Sequence, residues 1–143
     1  MTLIVCATRG GDACRRTQER AIDLAIERDA ELVFLYVVDP SLVEPVDESL
    51  ADALNDEMTR LGRSLLRIAQ GRARDRDLTT QAVVRHGAVQ QSIKDYVREV
   101  GASTLVIGAP RVGAPPRAFT PTEIERFAQS VREEMDVEVV VVT

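Results

Sequence analysis

The chain of 143 residues has few aromatic side chains, which make up 3% of it, and it has no tryptophan. A core must therefore be built from Val, Leu, Ile and Ala, a mixture that suits parallel strands covered by helices on both faces. The two cysteines and one histidine are too few for a structural metal site, and a disulfide is not expected in a reducing compartment. We therefore predict that Cys6 and Cys14 are small buried or half-buried thiols.

Lysine is also scarce, with Lys94 the single one, and the 23 acidic residues outnumber the 18 basic ones, so the formal net charge is −5. An acidic chain is not expected to bind nucleic acid or anionic membranes in general. No apolar run approaches the roughly 20 residues of a membrane-spanning helix. Residues 1–5 lack the basic start and the cleavage site of a signal peptide. The sequence thus predicts a cytoplasmic protein of one domain, residues 1–143, without nucleic-acid or membrane partners.

Strands and helices are predicted to alternate along the chain. Strands are predicted over 2–8, 31–38, 79–85, 103–107 and 137–142, and the first of them is a short continuous apolar run. Apolar residues at three- and four-residue spacing predict the helices between them. The longest helix carries Leu50, Leu54, Met58, Leu61, Leu65 and Ile68, and the charge run 72–77 at its end is predicted to be solvated. With right-handed crossovers, this βαβαβαβαβ order predicts an α/β fold with a doubly wound five-stranded parallel sheet and helices on both faces.

In such sheets, ligands bind outside the carboxyl ends of the strands, where the strand order reverses. This rule directs attention to the segments 8–14, 38–40 and 108–123. The first of them, with Gly10 and Gly11, is either an anion cradle made of backbone N–H groups or a simple strand-to-helix turn.

The third segment contains a helix start. Thr120 with Glu123 three residues later is a capping-box pattern, and Pro121 would fill the first helical position. A helix N-terminus favours a phosphate or a carboxylate, and Arg111 and Arg117 could add charged donors. The alternative is an ordinary capped helix that follows an exposed loop.

Known enzyme classes with this kind of fold do not match the residues. A low-molecular-weight tyrosine phosphatase needs an arginine six residues after its cysteine, where Cys6 is followed by Asp12. A response-regulator receiver needs carboxylates at the end of the first strand, which ends in Thr8 and Arg9. A dinucleotide dehydrogenase needs G-x-G-x-x-G at that place, and flavodoxin-like binding would want stacking aromatics. Since no nucleophile–base pair emerges either, the sequence predicts a protein that is not an enzyme.

Several stretches, in order, resemble the universal stress protein family over nearly the whole chain. They are TLIVCATRGGDACRRTQERAIDLA, AELVFLYVVDP, VVRHGAVQQSIKDYVREVGASTLVIGAPR and VEVVVVT. The resemblance implies an adenine-nucleotide alpha-hydrolase-like sheet with strand order 3-2-1-4-5, and a homodimer formed through the edge strand 137–142. A Val-rich terminal strand is an edge that needs covering, so the sequence agrees with this expectation.

The ATP-binding branch of this family carries G-x2-G-x9-G-[ST] after the fourth strand. In this chain Gly108 keeps the first glycine, Arg111 and Pro121 stand at the second and third, and Thr122 keeps the hydroxyl residue. Glycines let backbone amides approach phosphates closely, whereas proline has no N–H to offer. Standard ATP binding is therefore not expected.

The resemblance also places Thr8 where that branch carries Asp, and Gly113 lies two residues beyond the second glycine position. The candidate residues of the nucleotide or anion site are Thr8, Val38, Gly108, Arg111, Gly113 and Thr122. The leading hypothesis is a non-catalytic, dimeric stress-response or regulatory domain that requires no cofactor, with weak, altered or absent ATP binding. The alternative is a true adenine-nucleotide binder that uses a re-threaded phosphate loop.

Overall fold

The computed structural model describes residues 2–8, 12–39, 48–109 and 121–143 of the chain. Its strands are β1 (Leu3–Ala7), β2 (Glu31–Val38), β3 (Gln81–His86), β4 (Thr104–Gly108) and β5 (Glu138–Val142). Its helices are α1 (Asp12–Arg28), α2 (Glu48–Arg74), α3 (Val89–Val100) and α4 (Pro121–Met135). The predicted strands and helices are confirmed, with boundaries that differ by at most two residues at each strand end.

The five strands form one parallel sheet in the order β3-β2-β1-β4-β5, which confirms the predicted fold class. Its two faces are covered by different helices, as the alternation of side chains along β1 illustrates. Val5 belongs to a buried cluster with residues of α3 and α4, whereas Ile4 and Cys6 belong to a second cluster with residues of α1 and α2. Cys6 is a buried free thiol, as predicted, and the side chain of Cys14 lies outside the described part.

The side of α2 that contacts the sheet is built mainly from small residues. Gly62, Leu66, Ala69 and Ala73 are buried there. At Gly62 the ring of Tyr36 lies so close that a Cβ atom would be 2.5 Å from its Cδ1. The helix can therefore approach β2 only because this residue has no side chain. Leu61 and Ile68, which helped to predict the helix, are instead more than half exposed, at 56% and 52%.

The end of α3 and the start of α4 each have a residue that suits its position. Gly101 follows the last residue of α3 with a φ of 66°, the left-handed conformation that glycine adopts readily. Pro121 is the first residue of α4, where its missing N–H breaks no helical hydrogen bond. The proposed cap, Thr120, lies outside the described residues.

A polar contact joins α1 to β5 at the amino-terminal edge of the sheet. The guanidinium of Arg28 donates to both carboxylate oxygens of Glu138, with Nη1–Oε1 and Nη2–Oε2 distances of 2.6 and 3.3 Å. The buried hydroxyl of Thr104 lies between them and donates to Glu138 Oε1 at 3.1 Å. The hydrogen bond from Arg28 is the main reason that the pKa of Glu138 is lowered.

Candidate functional site

The strand-end site is the region at the carboxyl ends of β1, β2 and β4, together with the start of α4. The strand order reverses between β1 and β4, since β2 lies on one side of β1 and β4 on the other. Cys6 is paired with Val106, and continuing this register by two residues places Thr8 opposite Gly108. The structure thus brings together two of the predicted site residues.

Thr8 is occupied by contacts within the protein. Its side chain is only 2% exposed, and its backbone N–H donates to the carbonyl of Leu35 at 2.9 Å. Its hydroxyl accepts a hydrogen bond from Nε2 of Gln18 at 2.7 Å. A side chain that is buried and bonded in this way holds β1 to α1, and it is not presented to a ligand.

Gln18 extends this contact to a second helix. It is 2% exposed, and its Oε1 accepts a hydrogen bond from Nη1 of Arg72 on α2. Arg72 is half-buried, so the prediction of a solvated charge run is wrong for its first member. A buried polar network of this kind is stable because each donor finds an acceptor away from water.

The sequence reasoning missed both Gln18 and Arg72. One signal was available for Gln18, which stands three and four residues before Ala21 and Ile22, on the apolar side of α1. A polar residue in such a stripe indicates a buried hydrogen bond. For Arg72 no such signal exists, because its partner is 54 residues away in the chain.

Gly108 is required by packing against α1. A Cβ atom at this residue would lie 2.5 Å from Oγ1 of Thr17, which is itself only 2% exposed. The next residue, Ala109, donates its N–H to the carbonyl of Val142 at 2.8 Å and so continues the sheet. The absence of a side chain at Gly108 is thereby explained without any phosphate.

The remaining predicted residues are placed separately. Val38 is fully buried at the end of β2, and its carbonyl accepts the N–H of Gly87 at 3.0 Å. Thr122 is exposed, one residue after the start of α4. Arg111 and Gly113 lie outside the described residues. Asp39 directly follows Val38 and is 8% exposed, so it adds a buried carboxyl group that the prediction did not single out.

His86, at the end of β3, has a hydrogen-bonding partner that the sequence did not reveal. Its Nε2 lies 2.8 Å from Oγ1 of Thr59, and that hydroxyl donates to the carbonyl of Asn55 at 2.8 Å. Which of the two atoms donates depends on the tautomer of the imidazole. The contact joins β3 to α2, and among the described residues no group of three or more His, Cys, Asp or Glu could hold a metal ion.

A hollow of about 370 Å³ lies between α3 and α4. It is lined by Gln90, Glu123, Arg126, Phe127 and Ser130. None of the predicted site residues in the described part of the chain lines it, so the hollow gives no support to a nucleotide position at Thr8, Val38, Gly108 or Thr122.

The fold and the strand-end site define a doubly wound α/β domain whose ligand position, in proteins of this class, lies between β1 and β4. The model of the universal stress protein family matches residues 1–143. This chain belongs to the universal stress protein family. No helix in the described ranges has the length and apolar character to cross a membrane.

Individual members of the family are similar at low sequence identity. The universal stress protein YxiE of Bacillus subtilis (strain 168) is 25% identical over 114 residues, with 74% of this chain and 77% of that protein covered. UspA from Lactobacillus plantarum has a TM-score of 0.80 at 21% identity, covering 99% of this chain and 97% of that one. A universal stress protein in complex with cAMP has a TM-score of 0.72 at 23% identity, with 99% and 97% covered. At these identities, the two structures support the fold alone.

Proposed function

We propose that this chain is a non-catalytic stress-response or regulatory domain that acts as a cytoplasmic homodimer and binds ATP weakly, in an altered way or not at all. The observation that carries the proposal is that side chains of α1 fill the strand-end site. The hydroxyl of Thr8 is used by Gln18, and the open side of Gly108 is filled by Thr17. The Thr8 side chain and the space beside Gly108 are thus taken up by contacts within the protein.

The start of α4 also supports weak, altered or absent ATP binding. The first residues of a helix offer free N–H groups to an anion. Pro121 occupies the first helical position and has no N–H. One of these donors is therefore missing at the place where the ATP-binding branch carries a glycine.

The edge strand β5 is the surface that we propose for the homodimer. Glu138 donates its N–H to Ser103, and Val142 accepts from Ala109, so both direct their backbone groups to β4. Successive residues of a strand direct their N–H and C=O groups to opposite sides of it. The N–H and C=O groups of Val139 and Val141 therefore point away from β4, to the outer edge of the sheet. A second copy of the chain can pair with this edge by backbone hydrogen bonds.

A nucleotide-binding role is the second candidate. The solved relative in complex with cAMP supports it, and so does exposed Thr122 at the start of a helix that follows β4. In this reading a re-threaded loop with Gly108, Arg111 and Gly113 would hold the phosphates of ATP or a related nucleotide.

Thermal unfolding with and without Mg-ATP, ADP, AMP, cAMP and inorganic phosphate separates the two candidates. A ligand at about 100 times its dissociation constant adds roughly 2.7 kcal/mol to the free energy of unfolding, which raises the midpoint temperature clearly. We expect no shift, or only a small one, with millimolar ligand. A shift with a nucleotide that Thr122→Asp abolishes would favour the second candidate. Thr79→Asp is the matched control, because Thr79 is exposed near the opposite edge of the sheet.

A further inference from the structure

Helix α2 has a second apolar side in addition to the one that contacts the sheet. We call it the outer stripe, and it consists of Leu54, Met58, Leu61, Leu65 and Ile68. Leu61 and Ile68 are more than half exposed, and the other three are half-buried. Leu50, one turn before the stripe, is 49% exposed. Large aliphatic side chains aligned on an exposed helix face are typical of an interaction surface.

The spacing of the outer stripe is that of a helix that pairs with another helix. Its residues are separated by four, three, four and three positions, which is the a/d repeat of a coiled-coil seam. The sheet-facing residues Gly62, Leu66 and Ala69 each follow a stripe residue by one position. One position corresponds to about 100° around the helix, so the stripe lies beside the core face. From Leu54 to Ile68 it extends about 21 Å along the axis.

The charges of α2 are divided between its two halves. Residues 48–57 contain only acidic charges, at Glu48, Asp52, Asp56 and Glu57. Residues 58–74 contain only basic charges, at Arg60, Arg63, Arg67, Arg72 and Arg74. A solvated helix usually mixes the two signs along its length. The segregated pattern is complementary to itself when a second helix runs in the opposite direction.

We propose that the outer stripe is the contact with a second copy of this chain, whose α2 packs antiparallel against it. With the two-fold axis between Thr59 and Arg60, Met58 lies opposite the second copy's Leu61, and Leu54 opposite its Leu65. Each acidic half then lies along a basic half, which favours this orientation, whereas parallel pairing would set like charges together. A two-fold contact of this kind uses the same surface on both copies.

This contact is separate from the edge-strand dimer and does not depend on it. Helix α2 covers the side of the sheet that carries β2 and β3, whereas β5 is the opposite edge. Both surfaces can be used at once, because they do not overlap. Two different two-fold contacts on one chain join dimers into tetramers or longer assemblies.

The first experiment compares the mass in solution of the wild-type chain and of Leu61→Lys/Ile68→Lys by sedimentation. Both side chains are already exposed, so the variant should fold, as circular dichroism checks. We expect its assembly to have half the mass of the wild-type assembly, or less where the wild type forms assemblies longer than a tetramer. Ile26→Lys is the matched control, because Ile26 is an exposed apolar residue on α1, and it should leave the mass unchanged. Equal masses for the wild type and the double variant would overturn the proposal.

The same comparison in a Val141→Pro background separates this contact from the proposed edge-strand dimer. If the edge dimer does not exist, Val141→Pro has no effect on mass, yet the stripe variant still halves it. If the edge dimer exists without the α2 contact, Val141→Pro halves the mass and the stripe variant changes nothing.

A charge-reversal experiment tests the antiparallel orientation. Asp52→Arg/Asp56→Arg makes α2 mostly basic, and Arg63→Asp/Arg67→Asp makes it mostly acidic; all four side chains are exposed. We expect each variant alone to lose the α2 contact, and an equal mixture of the two to regain it. Higher salt should weaken the association of the wild type. Association of each variant alone, as strong as in the wild type, would contradict a contact oriented by these charges.

Discussion

Two glycines of α2 differ in what surrounds them. A Cβ atom at Gly62 would overlap the ring of Tyr36, whereas at Gly71 nothing lies within 4 Å. Gly62→Ala should therefore lower the free energy of unfolding by about 1–3 kcal/mol through overpacking. Gly71→Ala should raise it by about 0.5–1 kcal/mol, because alanine loses less backbone entropy in a helix.

Urea unfolding of both variants measures the two effects on one helix. Both substitutions add the same methyl group at a helical position. The difference between their changes in unfolding free energy therefore reports on the contact with Tyr36. If Gly62→Ala were as stable as Gly71→Ala, the close approach of α2 to β2 would be refuted.

Gly108 allows the packing explanation to be tested against the phosphate explanation. Gly108→Ala should destabilise the protein by about 1–2 kcal/mol, because the new methyl group meets Oγ1 of Thr17. Adding Thr17→Ala removes that oxygen and leaves ordinary contact distances, so the double variant should recover part of the loss. Thermal unfolding of both single variants and the double variant gives the coupling energy. A glycine retained for a phosphate alone would show no coupling to Thr17.

Strand β5 and helix α1 are connected by an ion pair whose effect depends on pH. The hydrogen bond from Arg28 lowers the pKa of Glu138 below its ordinary value of 4.5. A lowered carboxyl pKa contributes stability above the unfolded pKa, and this stability is lost as the pH falls through the folded pKa. At neutral pH, Glu138→Gln should cost no more than about 1 kcal/mol, because the two side chains are 36% and 50% exposed.

The pH dependence of the unfolding midpoint checks this assignment. The wild type and Glu138→Gln should differ at pH 7 and converge as the pH is lowered below 4.5. Arg28→Met should remove the same contribution, so combining both substitutions should cost less than their sum. If the difference in unfolding midpoint between the wild type and Glu138→Gln stayed constant down to acid pH, the ion pair would be excluded as the cause of that difference.

The elements were more predictable from the sequence than the contacts between them. Strand β2 is a continuous apolar run that agrees residue for residue with the prediction, because a strand buried on both faces needs no polar positions. Helix α2 was predicted from its apolar spacing, but that spacing describes the outer stripe, since Gly62 and Ala69 carry little hydrophobic signal. Which side of a helix contacts a sheet depends on how closely the backbones can approach.

The strand-end site illustrates the same limit. The topological rule located Thr8 and Gly108 on neighbouring strand ends, where the structure also has them. The contacts that occupy them come from Gln18 and Thr17, and these depend on how α1 is seated above the sheet. The sequence pattern predicts where a residue lies in the fold. It does not predict which side chain of a neighbouring helix packs against that residue.

At the scale of the whole molecule, we propose β5 and α2 as two separate surfaces for self-association. They differ in kind, since an edge strand pairs through backbone hydrogen bonds and a helix face pairs through side chains. A backbone substitution should therefore affect one of them and leave the other intact. Proline is the appropriate substitution for β5, because it removes a backbone N–H.

Val141→Pro should abolish the edge-strand dimer and leave the fold intact. The N–H of Val141 points away from β4, so proline removes a donor that the sheet itself does not use. Val140→Pro is the matched control, since by the same alternation its N–H points toward β4, and it should lower the unfolding midpoint clearly. Sedimentation and thermal unfolding of the two variants measure both effects. A Val141→Pro protein that keeps its full assembly mass would contradict β5 as the dimer contact, because proline removes an outward N–H donor and places its ring at the edge where the second strand would pair.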